Sequence, residues 1–196
     1  MGVRRAALLA PAALILAACG QVHPGAAAVV DGRRISFDQV DATARGYCEL
    51  VALQGQEPDA AALRRQALAD RVALDVAREL AEQRDLAVPR SEWIVPVADR
   101  EGLAEALPDA DVEQVIEAAE LNGRLRVTLE VLGSPAGSPE VAQQQGRDVV
   151  AQELADRDVQ VDPRLGLDES LQDTGSNGSL SVRSGDAEPA AATGCA

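Results

Sequence analysis

Lysine is absent from this 196-residue chain, histidine occurs once, at His23, and methionine once, at position 1. Aromatic residues are nearly missing: Phe37, Tyr47 and Trp93 are the whole set. Each scarcity excludes something. A catalytic serine or cysteine ordinarily needs a neighbouring base, and here there is no lysine and a single histidine close to the N-terminus. No cysteine and histidine cluster has zinc-site spacing. The glycines of residues 133–137 lack the Gly-Lys-Ser/Thr run of a phosphate-binding loop. Carboxylates abound, but on helices they read as solvated faces. The chain is expected not to be an enzyme and to carry no cofactor and no metal.

The shortage of aromatics also bears on the fold. The core has to be built from Leu, Val, Ile and Ala, which favours closely packed helices over a sheet rich in β-branched and aromatic residues. Thirty-two acidic residues face 18 basic ones, all arginine, for a formal charge of −14. Such a field repels nucleic acid and anionic lipid headgroups, so no nucleic-acid partner is expected. The absence of lysine, with the abundance of alanine, reads as the mark of a GC-rich genome.

The N-terminus reads as an address. Arg4 and Arg5 precede an uncharged apolar stretch over residues 6–18, the pattern of a secretory signal. The stretch is shorter than the ~20 residues that span a bilayer. It ends in Leu16-Ala17-Ala18-Cys19-Gly20, which resembles the lipobox of bacterial lipoproteins. That resemblance implies cleavage before Cys19, a diacylglyceryl group on its sulfur and palmitate-type acyl chains. Two chains anchor stably where one binds reversibly. Cleavage also removes two arginines, leaving a more acidic body tethered at the outer face of the cell membrane. Arg4-Arg5 is a poor match to a twin-arginine signal because Ala6-Ala7 follows.

With Cys19 lipidated, Cys48 and Cys195 remain, in a compartment where disulfides persist. Residues 167–194 are rich in Gly, Ser, Asp and Ala, and a flexible segment of that length reaches about 30 Å, about twice the radius of gyration of such a domain. A Cys48–Cys195 bridge is therefore within reach; two unpaired thiols are the other reading.

Residues 1–18 are thus a lipoprotein signal peptide and 19–27 a tether containing His23, which is given no role. Residues 28–35 read as two short strands around an Asp31-Gly32 turn. Ser36 with Gln39 forms a capping box for a helix ending near Gly55. A long helix opens at Pro58-Asp59, with Leu63, Ala67, Leu74, Ala77 and Ala81 on one stripe and Leu68, Val72, Val76 and Leu80 on the next. Pro89 is expected to end it. A short helix spans about 97–107. Asp111 with Gln114 starts another, where Gly123 costs about 1 kcal/mol against Ala and invites a kink. After the Gly/Ser/Pro loop a last helix covers about 140–156, followed by a strand at Val159-Gln160-Val161. The domain is expected over residues 28–166 and a disordered tail over 167–196.

The order of these elements resembles the N-terminal chaperone domain of SurA-like and PrsA-like exported proteins. The likeness is to a lipoprotein branch from GC-rich Gram-positive bacteria that lacks the parvulin domain. The residues that carry it are the Val-Asp-Gly opening strand, Ile35-Ser36 before a capped helix, the Arg-Arg-Gln-Ala-Leu long helix, and Val159-Gln160-Val161-Asp162-Pro163-Arg164-Leu165-Gly166. Asp162 and Leu165 depart from the family's Asn-Pro-Arg-aromatic-Gly segment. The resemblance implies a mainly α, compact multi-helix domain with a short N-terminal β element that can pair with a strand near 159–162. It implies binding of unfolded exported proteins without isomerase activity. Trp93 is either a client contact or a core plug between helices; Arg64 and Arg65 are expected to pair with nearby acids. A specific scaffold lipoprotein of the envelope is the competing reading, because promiscuous binders use Met-rich surfaces and no methionine follows position 1.

Overall fold

The computed structural model describes residues 25–133 and 137–174. The signal stretch, Cys19, His23 and Cys195 lie outside the described residues. Five helices pack with a small antiparallel sheet, so the mainly α fold with its N-terminal β element is as expected.

β1 (Ala26–Val30) and β2 (Arg33–Ser36) form a hairpin in which Val30 faces Arg33 and Ala28 faces Ile35. Asp31 and Gly32 both have positive φ (48° and 79°), the two-residue turn whose twist matches the flanking strands. β3 (Val159–Val161) pairs antiparallel with the other edge of β1, Val30 opposite Val159 and Ala28 opposite Val161. β1 is therefore central, which explains its uninterrupted apolar run: all five residues are buried.

Ser36 caps α1 (Phe37–Leu53) through the expected capping box with Gln39. The helix closes with Gly55 at φ 71°, the Gly55 and Gln56 amides returning to the Ala52 and Val51 carbonyls. Asp59 caps α2 (Ala60–Gln83), whose nine buried residues are the nine of the two predicted stripes. This helix ends at Gln83, earlier than Pro89 suggests. Its stop has the same geometry as that of α1, with Asp85 at φ 54° in the glycine position and the Leu86 amide on the Ala81 carbonyl. An aspartate in a left-handed stop carries little sequence signal, so the proline was the wrong punctuation to read.

α3 (Val97–Ala106) buries none of its residues. α4 (Val112–Gly133) and α5 (Pro139–Ala155) form the tightest pair. A Cβ on Gly133 would overlap the Ala142 carbonyl, and one on Gly146 would overlap the Leu129 carbonyl. Only hydrogen at these positions lets the two backbones come so close. α4 runs helical through Gly123 without a break.

Arg157, just before β3, ties the layers together. Its guanidinium reaches Glu79 on α2 at 2.8 Å, Glu153 on α5 at 2.9 Å and Asp31 in the hairpin turn at 3.1 Å. Order also continues past Gly166. Leu167 is buried and bridges to Asp173, and Asp168 Oδ1 accepts from the amides of Ser170 and Gln172. The expected onset of disorder at 167 thus misses a short turn that one leucine and one Asx carboxylate hold down. Residues 175–196 are outside the described part.

Candidate functional site

The arginines at 64 and 65 are paired as expected, Arg64 with Asp41 at 2.6 Å and Arg65 with Asp173 at 3.2 Å. They form no open basic spot. The other cluster of arginines lies at the segment between α2 and α3.

Here the chain leaves α2 and makes a 3-10 turn over Arg90–Glu92. It then lays Trp93 across α4 at Gly123, where an added Cβ would come within 3.3–3.4 Å of the Trp93 backbone. Gly123 thus serves a close approach within an unbroken helix. Trp93 is half-buried, with its indole Nε1 buried, and lies outside the cluster of buried core residues. The guanidinium carbons of Arg90 and Arg124 lie 5.7 and 5.1 Å from its ring centroid, within cation–π range. Arg78 on α2 and Arg90 press on Arg124, whose pKa is lowered first by burial and then by Arg78; Glu82 and Asp75 act the other way. Two donors at this place, Arg78 Nε and Trp93 Nε1, are buried with no acceptor among the described residues.

A polar clasp holds the adjoining α3. The Val95 amide and the Arg100 guanidinium both donate to Glu120 Oε1, and Arg100 Nε donates to the Val95 carbonyl. The ring closes on itself and joins α3, none of whose residues is fully buried, to α4.

Elsewhere, Tyr47 donates to Asp70 Oδ2 at 2.9 Å between α1 and α2. Burial pushes both groups up, Asp70 above the ordinary carboxylate range in spite of the bond from Tyr47. Tyr47 is buried and Asp70 partly buried. A cleft of about 390 Å³ between α1 and the start of α4 is lined by Arg45, Glu49, Asp111 and Gln114, and three of these bond to one another: Arg45 Nε donates to Gln114 Oε1 and Gln114 Nε2 to Asp111. Among the described residues no group of three or more His, Cys, Asp or Glu could hold a metal ion, and no helix is long and apolar enough to cross a membrane.

Cys48 is buried on α1 and disulfide-bonded; its expected partner Cys195 lies outside the described residues. Of the residues named from sequence, the structure describes Trp93 and Cys48 and sets Trp93 beside Arg90 and Arg124. Those arginines were missed because they come from two separate elements and no spacing links them. Comparison with known proteins returns no match among family models, curated proteins or solved structures.

Proposed function

We propose that this protein is an exported lipoprotein, anchored through Cys19 at the outer face of the cell membrane, that binds newly exported, unfolded polypeptides in a chaperone-like way without isomerase activity. The observation that carries the reading is Trp93: the one tryptophan of the chain sits half-buried at a charged surface, outside the core. A large aromatic withheld from an aromatic-poor core gives up stabilisation from burial, and binding a partner is the gain that offsets it. The signal stretch and lipobox supply the address, and the helical domain with its β1–β3 pairing fits the architecture implied by the SurA-like resemblance. That likeness is one of fold, which by itself does not fix function.

The test is photo-crosslinking in cells from a probe at position 93, with mass spectrometry of what is captured. Many unrelated exported proteins, caught during synthesis and export, are the expected outcome. Capture of one stoichiometric partner would replace this reading with the scaffold reading, which the arginines around Trp93 favour because mixed polar surroundings suit a specific partner. The Cys48–Cys195 bridge belongs to the same proposal. Peptide mapping without reductant is expected to link those two cysteines and leave Cys19 acylated; a Cys48–Cys19 link would remove both the bridge and the anchor.

A further inference from the structure

The two aromatic rings that carry arginines make an internal comparison. Phe37 lies under Arg64 and Arg164, with guanidinium carbons 5.4 and 4.7 Å from the centroid. Both of those arginines are ion-paired, Arg64 to Asp41 and Arg164 to Asp162 at 2.8 Å. Trp93 lies under Arg90 and Arg124 in the same way. Yet among the described residues no carboxylate comes within 4.0 Å of Arg78, Arg90 or Arg124. The two guanidiniums over Trp93 thus lack the ion pairs that both guanidiniums over Phe37 have. A ring face attracts the charge of a guanidinium but leaves its in-plane N–H donors unused. Buried donors in folded proteins nearly always have acceptors, and here Arg78 Nε and Trp93 Nε1 have none.

We propose that Arg90, Arg124 and Trp93 form a site for a carboxylate group of a bound polypeptide. The planar guanidinium fork matches a carboxylate, while the indole offers an apolar wall for the neighbouring side chain. A singly charged group is favoured over a phosphate dianion because the nearby Asp75 and Glu82 repel a dianion more strongly. The inference rests on the function proposed above only for the ligand being a polypeptide.

Trp93 gives a single indole N–H resonance in the full chain, so nitrogen-15 NMR reads this site without ambiguity. The probe is a capped pentapeptide with one glutamate flanked by leucines, set against the same peptide with glutamine and against sodium phosphate at equal ionic strength. The glutamate peptide is expected to move the indole resonance saturably, at a concentration at least fivefold below that of the glutamine peptide. R124Q is expected to lose the response while the rest of the spectrum stays native. R90Q, on an exposed turn, serves the same purpose if R124Q does not fold. Equal response to both peptides, no response to either, or saturation by phosphate at lower concentration would each overturn the assignment. Crosslinking to many clients in cells with no glutamate preference here would overturn this inference and leave the chaperone reading standing. A glutamate response with a single captured partner would do the reverse.

Discussion

The α4–α5 interface and the flank carrying α3 and Trp93 are built on opposite terms. At the interface two helices meet backbone to backbone, over Gly133 and Gly146, with buried Leu129, Leu132, Val150 and Leu154 packed into the core. On the flank, α3 buries nothing and is held by Glu120, Arg100 and the Val95 backbone. Close packing gives a contact no tolerance for added volume. The clasp is part-buried and holds α3 by a few directed bonds rather than by close packing, so it can open without leaving a cavity in the core. The first region thus sets the stability of the fold, and the second is where movement and recognition can occur without unfolding it.

The strongest way to break the comparison is Gly146→Ala. Its methyl group would overlap the Leu129 carbonyl, and a loss of about 3 kcal/mol or more is expected, read as a lower midpoint in urea. A loss under 1 kcal/mol would mean that the interface yields more readily than its packing suggests. Next is Arg157→Ala, which removes the link between α2, α5 and the hairpin turn. Since Glu79, Glu153 and Asp31 are each about a third exposed or more, the expected loss is about 2 kcal/mol, less than for a buried pair. The Arg157 bond holds the Glu79 carboxyl below its ordinary value, so this contribution is present above that value and fades as pH falls through the depressed one.

Tyr47→Phe is smaller, about 1–2 kcal/mol for a bond donated to a carboxylate, and it sharpens a pH effect of opposite sign. Burial raises Asp70 in the folded state. The folded protein therefore binds more protons than the unfolded one between the ordinary and the raised value, and stability falls as pH rises across that window. Removing the Tyr47 donor is expected to extend the window to higher pH, and Asp70→Asn to flatten it, both read from urea midpoints between pH 4 and 8. The smallest effect on the whole fold is expected from Glu120→Gln, less than about 1 kcal/mol. Amide exchange in α3 should nevertheless quicken by about an order of magnitude, with α4 and α5 unchanged. Uniform quickening across all helices would show that the flank and the core open together.

Legibility followed the same division. The nine buried positions of α2 were readable because a core face repeats with the helical period. The stop of α1 was readable because Gly55 marks it, whereas the stop of α2 has the same geometry on Asp85 and was not. The ordered turn beyond Gly166 was missed because one buried leucine in a polar stretch has no period. Trp93 was readable as a candidate but not as a surface residue, since its placement depends on Gly123 thirty positions later.

What the sequence alone determined is what local rules govern: the period of the apolar faces, the capping box at Ser36, the hairpin turn, and a core built mostly from aliphatic residues. Tertiary structure decided what depends on residues far apart in the chain. It put β1 between β2 and β3, brought Gly133 and Gly146 against carbonyls of the opposite helix, and gathered Arg90 and Arg124 over one indole. Chain neighbours cannot encode such meetings, because the energy that selects them comes from burial and charge shared between distant elements.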